Sequence, residues 1–164
     1  MADLTFKGNP VHTNAALPTV GSQAPAFTLV KQDLSEASLA SFEGKKKVLN
    51  VFPSIDTGIC AKSVKTFHEK AGARTDAVVL NISKDLPFAA KRFCGAEGVE
   101  NAVTLSAFRS KFASDYGLEM TDGPMKGLCA RAVVVLDAND KVTYVELVDD
   151  IVHEPNYDAA LAAL

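Results

Sequence analysis

The chain has 164 residues, 48% of them hydrophobic and 23% charged, with a net charge of −3. That length is sufficient for one domain, residues 1–164, with a full core and no need of metal or disulfide staples, and the composition is that of a folded globular protein. The mild acidity argues against a general binder of nucleic acid or of anionic membranes.

The longest apolar runs are Ala132–Leu136 and, interrupted by Asn50, Val48–Phe52. Both fall far short of the roughly 20 residues of a membrane-spanning helix. Met1-Ala2-Asp3-Leu4-Thr5-Phe6 carries neither a basic n-region nor an apolar h-region, so a cytoplasmic location is expected. Cys60, Cys94 and Cys129 are too few, and odd in number, for a disulfide scaffold; they read as thiols first and as catalytic or redox candidates second.

In chain order, Leu4-Thr5-Phe6 and Val11-His12-Thr13 flank Gly8-Asn9-Pro10, which predicts a hairpin over about residues 3–14. Pro18, Gly21 and Pro25 lead into a strand at Ala26–Val30, and Val48–Phe52 reads as a strand covered on both faces. Pro53–Gly58 is a loop by composition. Cys60, Val64, Phe67 and Ala71 then follow the helical period on one stripe, placing Cys60 in the first turn on the buried side. A strand at Ala77–Ile82 precedes a short helix at Phe88–Cys94 that Gly95 is expected to stop. Val103–Leu105 reads as a strand and Phe108–Tyr116 as a helix ended by Gly117. Ala132–Leu136 and Val142–Val145 flank Asp137-Ala138-Asn139-Asp140 as a hairpin, and Tyr157–Leu164 is a closing amphipathic helix. The order predicts an α/β fold: a mixed central sheet, a right-handed β-α-β crossover, helices on both faces and an N-terminal β-hairpin. In open sheets of this kind, sites form beyond the carboxyl ends of parallel strands, which is where Pro53–Cys60 falls.

A cysteine in the first turn of a helix meets unpaired amides and the positive end of the dipole, and both favour thiolate over thiol. An ordinary thiol is roughly 3% thiolate at pH 7, so full ionisation raises the nucleophile about 30-fold. The weaker intrinsic nucleophilicity of a more acidic thiol gives back roughly tenfold. Ionisation alone therefore makes no fast enzyme, and directed donors at the transition state are required. Thr57 is positioned to cap the helix and face the sulfur, and Pro53 ends the strand and walls the site. Arg131, at the start of the run beginning at Ala132, is a candidate to reach in from a neighbouring strand with a forked, permanently charged donor set.

Pro53-Ser54-Ile55-Asp56-Thr57-Gly58-Ile59-Cys60 matches the peroxiredoxin signature of Pro, three residues, Thr, two residues, Cys. With the Phe52 that precedes it, with Arg92–Gly98 and with Gly123–Val135, the chain resembles the bacterial thiol peroxidase subfamily of the peroxiredoxins, an atypical two-cysteine type, over essentially its whole length. The resemblance implies a thioredoxin-like fold. It implies that Cys60 is the peroxidatic cysteine and Cys94 the resolving one, paired in an intrachain disulfide. Thr57 and Arg131 would activate the thiolate and polarise the O–O bond, and Pro53 would wall the pocket. It further implies hydrogen peroxide and alkyl hydroperoxides as substrates, thioredoxin as reductant, a homodimer and no cofactor. Such a disulfide protects a sulfenic acid from irreversible overoxidation. Because a bridge needs Cα atoms within about 7 Å, the Cys94 segment, and with it the first turn at Cys60, is expected to rearrange or locally unfold for closure.

Blander readings stand beside these. A cysteine on an apolar stripe is ordinarily a packed core thiol, and Cys129 is read as structural. His12, His68 and His153 are scattered and form no ligand pattern. A protein dithiol–disulfide exchanger on the same fold is the alternative function, disfavoured by the lack of a C-x-x-C. A non-catalytic binding module is the third, since fold does not fix function.

Overall fold

The computed structural model describes residues 2–164. The chain opens with β1 (Asp3–Phe6) and β2 (Asn9–His12), paired antiparallel with Phe6 opposite Asn9. That register leaves Lys7 and Gly8, at φ 51° and 83°, as a two-residue turn of the kind whose twist matches a hairpin. The turn expected at Gly8-Asn9-Pro10 thus lies one residue earlier. Pro10 joins the outer strand of the ribbon instead, where its missing N–H costs little.

The main sheet is built from β3 (Thr28–Val30), β4 (Glu36–Ser38), β5 (Lys46–Val51), β6 (Ala77–Ser83), β7 (Val103–Ser106), β8 (Ala132–Leu136) and β9 (Val142–Leu147), in the spatial order β4-β3-β7-β6-β5-β8-β9. β5, β6 and β7 run parallel, and β8 lies antiparallel beside β5 with Ala132 opposite Val51. β4 and the 3-10 turn after it (Leu39–Phe42) carry too short and polar a pattern to be read from sequence.

Among the described residues four helices connect or close these strands: α1 (Gly58–Ala71), α2 (Pro87–Glu97), α3 (Phe112–Asp115) and α4 (Tyr157–Ala162). The α1 stripe is as the period requires, with Cys60, Val64, Phe67 and Ala71 all buried. α2 runs past Gly95. It stops at Gly98, whose φ of 70° and N–H to the Cys94 carbonyl form a left-handed cap that a side chain would strain. The helix expected over Phe108–Tyr116 is a single turn. Its first half is taken by local bonds, the Phe108 amide to Ser106 Oγ and the Phe112 amide to Ser110 Oγ, which compete with helix formation.

Alternation along the strands divides the interior into two layers. Val48, Val133 and Val135 face α1 and α4, where Phe67 packs edge-on against Tyr157 with ring centroids 5.0 Å apart. Leu49, Val51, Leu80, Ile82 and Val134 face the other way, onto α3, the β1–β2 hairpin and irregular chain. A smaller apolar cluster, with Phe52, Ile55, Cys60, Val64, Phe93 and Cys94, fills the space between α1 and α2. No helix among the described residues is long and apolar enough to cross a membrane. Phe67 is fully buried; Phe67→Ala is expected to lower unfolding stability by about 3–5 kcal/mol in urea titration, with the unfolding cooperative.

Candidate functional site

β5 ends at Val51, and Phe52-Pro53-Ser54-Ile55-Asp56-Thr57 carries the chain over the sheet edge into α1. Asp85, just past the end of the adjacent strand β6, fastens this loop. Its carboxylate accepts from Ser54 Oγ at 2.8 Å and from the Ile55 amide at 2.7 Å, and Ser83 Oγ donates to it as well. The loop is thereby held at the carboxyl end of the parallel strands, and α1 starts with Cys60 turned inward.

Arg131 immediately precedes β8, and the β5–β8 register sets it beside the end of β5. Its side chain is 2% exposed. Nε donates to the Ile151 carbonyl at 2.8 Å, and Nη2 donates to Cys60 Sγ at 3.2 Å. Nη1 is buried without a partner. A guanidinium so placed donates to the sulfur and leaves its second terminal nitrogen unpaired.

A cavity of about 340 Å³ opens here, walled by Pro53, Thr57 and Arg131 with Phe6, Met125 and Val152 as its apolar sides. Cys60 itself is fully buried, so Arg131 is the residue that both touches the sulfur and faces the cavity. Thr57 occupies the N-cap position but makes no capping bond; its hydroxyl donates to the Ser54 carbonyl at 3.0 Å. The expected cap is therefore absent: the hydroxyl is turned toward the Ser54 carbonyl, and its oxygen accepts from no helix amide. No hydrogen bond joins Thr57 to the sulfur.

A redoxin family model matches residues 19–161. The chain belongs to the redoxin family. It is 58% identical over 164 residues to the thiol peroxidases of Mycobacterium tuberculosis and Mycobacterium bovis, across 100% of this chain and 99% of theirs. The crystal structure of a peroxiredoxin-like protein from Aquifex aeolicus superposes with a TM-score of 0.93 at 36% identity, covering 99% of this chain and 95% of that one. Within the redoxins the chain stands with the thiol peroxidases, peroxidase oxidoreductases of peroxiredoxin type on a thioredoxin-like fold.

The other thiols of this redoxin sit differently. Cys94, on α2, shares the small apolar cluster with Cys60, and both are free thiols. Burial pushes the Cys94 thiol up, opposed by an N–H from Gln32 Nε2 at 3.5 Å, whose amide is also held by Thr104 at 2.7 Å. Cys129 is fully buried on the far side of the sheet, and burial pushes it up to about 12, which leaves it inert.

Asp85 and Ile151 were not singled out by the sequence, and the hairpin was expected as an element but not as a neighbour of the site. Asp85 had a usable signal, its position just past a parallel strand. Ile151 contributes only its carbonyl, which no side-chain pattern reveals. The hairpin reaches the site through Asp150, which accepts from Thr5 Oγ1 at 2.6 Å and from the amides of Gly8, Lys7 and Val152 at 2.9, 3.1 and 3.0 Å. The Thr5 hydroxyl first, then the Val152 and Gly8 amides, hold this carboxyl well below the usual carboxylate range. Its contribution to folding is therefore full above the ordinary aspartate value of about 3.9 and fades as pH falls through the lower folded value. Wild type is expected to lose stability more steeply than Asp150→Asn as pH is lowered from about 4, as read by urea unfolding at stepped pH.

Proposed function

We propose that the chain works as a single-domain, thioredoxin-dependent peroxidase whose chemistry runs from Cys60 to Cys94. The observation that carries this reading is the Arg131 guanidinium, with Nε anchored on Ile151, Nη2 on the Cys60 sulfur and Nη1 unpartnered. The Cys60 thiolate attacks one oxygen of a hydroperoxide entering past Pro53 and Arg131. The O–O bond breaks, the sulfur is oxidised to sulfenic acid, and the leaving alkoxide or hydroxide takes a proton to depart as alcohol or water. Nη1 is the donor available to the peroxide oxygens as charge develops, and Thr57, with acceptor capacity left on its hydroxyl, borders their path. The apolar walls of the cavity suit alkyl hydroperoxides as well as hydrogen peroxide.

The Cys94 thiol then attacks the sulfenic sulfur, forming a disulfide and releasing water. Reduced thioredoxin returns the disulfide to two thiols by exchange and leaves as its own disulfide. Antioxidant defence in the cytoplasm follows from this chemistry, since a reducing compartment is where such a cycle is sustained. Cys60→Ser is expected to abolish peroxide consumption. Cys94→Ser is expected to permit one oxidation per chain and then stop thioredoxin-supported turnover. Arg131→Met is expected to slow Cys60 oxidation by cumene hydroperoxide by about 10²–10³-fold in stopped flow.

A homodimer belongs to the same reading. Leu86 and Phe88 follow β6 and Phe108 follows the neighbouring strand β7, so three exposed apolar side chains gather at the sheet end that carries the Cys60 loop. Phe88→Glu is expected to shift sedimentation of the reduced protein from dimer to monomer; an unchanged sedimentation coefficient removes this face from the interface.

A further inference from the structure

The buried stripe of α1 is apolar with one exception. Ser63 is fully buried, and its hydroxyl donates to the carbonyl of Cys60 at 2.8 Å. Ser63 Oγ also accepts from Asn50 Nδ2 at 3.2 Å. Asn50 lies within β5, also fully buried, and Nδ2 donates in addition to Asn81 Oδ1 at 3.0 Å on β6. Asn81 Nδ2 in turn donates to the Val103 carbonyl at 3.0 Å on β7. A relay of side chains thus crosses three parallel strands and ends on the backbone of the nucleophile's own residue.

This relay is poor stabilisation. Asn50 Oδ1 has no partner, and a buried acceptor left unsatisfied costs free energy that an apolar side chain at this position avoids. Ser63 bonds back to a carbonyl that the helix itself uses, an arrangement that mildly weakens a helix. The start of α1 has no side-chain cap and no acidic residue in its first turn. Its buried polar ties to the rest of the fold are the Arg131–sulfur contact at one end and the Ser63–Asn50 relay at the other; on the solvent side Lys62, Lys65 and Lys70 pair with Glu154, Glu97 and Asp158, exposed contacts worth little. Conversion of a thiolate to a neutral sulfenic acid weakens the first buried tie, and the relay is then the buried tie that holds the turn in place.

We propose that Ser63 and Asn50 are positioning residues, forming a latch between the first turn of α1 and the sheet whose release lets oxidised Cys60 reach Cys94. The latch divides the sulfenic acid between two fates. While it holds, Cys60 stays beside Arg131, open to a second peroxide and to sulfinic acid. When it lets go, the Cys94 thiol attacks the sulfenic sulfur, with a disulfide formed and water lost. The proposal rests on the Cys60–Cys94 reading above for its chemistry, and on the relay alone for the mobility of the turn.

The test compares wild type with Ser63→Ala, Asn50→Ala and Ser63→Thr, the last keeping the hydroxyl. The reduced full chain meets cumene hydroperoxide in stopped flow, the products are separated by mass, and amide exchange is followed at Ala61 in the first turn and at Phe67 further along α1. In Ser63→Ala and Asn50→Ala, disulfide closure is expected to quicken by about three- to tenfold, the worth of one net hydrogen bond. The first oxidation is expected to slow by up to about twofold as Cys60 spends less time on Arg131. The peroxide concentration giving half sulfinic acid rises in step with closure, and exchange quickens at Ala61 more than at Phe67. Ser63→Thr returns these values toward wild type. General structural damage slows both chemical steps, so their opposite signs are the mark of a latch. Closure at the wild-type rate or slower in both alanine variants overturns the proposal, as does unchanged exchange at Ala61. If Cys60 and Cys94 do not pair even in the wild type, the disulfide reading falls, and exchange at Ala61 alone decides whether the latch exists.

Discussion

The candidate site is organised around a buried cation, Arg131. A guanidinium that is almost wholly removed from water has lost hydration worth several kcal/mol and needs partners in return. Arg131 finds them in the Ile151 carbonyl and the Cys60 sulfur. Its remaining unpaired nitrogen is a cost the folded state carries. The arrangement is reciprocal. The sulfur receives a charged donor from the cation, and the cation is tolerated because the sulfur and a peptide carbonyl face it.

Everything that fixes this pair is set by register and by backbone ties. The antiparallel pairing of β8 with β5 places Ala132 opposite Val51, so the residue before one strand and the loop after the other share an end of the sheet. Asp85 then pins the loop from one side. From the other, Asp150 gathers the amides of the hairpin turn, while Thr5 and Ile151 exchange a backbone bond at 2.9 Å. The N-terminal hairpin is thus tied directly to the segment whose carbonyl aims Arg131. It also supplies Phe6 and Lys7 to the cavity, so the same few residues shape the substrate space and hold the cation that acts in it.

How much of this was legible depended on whether the signal lived in side-chain pattern or in backbone geometry. The α1 stripe announced itself through period, and the hairpin of β8 and β9 through its apolar runs and turn residues. Pro53, Cys60 and Arg131 could be named because their chemistry is particular to their residue types. Thr57 was named too, yet its hydroxyl is oriented to donate to the nearby Ser54 carbonyl, a local side-chain bond that composition alone does not reveal. Gly95 looked like a helix stop. Whether a glycine stops a helix depends on its φ, and here Gly98 rather than Gly95 takes the left-handed value. Ser63 and Asn50 were invisible for a different reason: each is an unremarkable polar residue until strand pairing and helix packing bring the two within bonding distance.

The layering of the interior explains why chemistry that needs both a fixed site and a mobile one can share a small protein. The larger layer, under the hairpin and α3, is dense with Leu, Val and aromatic side chains, and Phe112 stacks with Tyr116 at 4.4 Å between centroids. It anchors the strands from which Arg131 and the Asp85 loop project. The cluster between α1 and α2 is smaller, holds both Cys60 and Cys94, and borders the polar relay through Ser63. Free energy of local opening follows the apolar contact a segment makes. The same sheet therefore has a larger apolar cluster on the face that sets the register of Arg131 and a smaller one between α1 and α2, and Cys60 and Cys94 lie in the smaller.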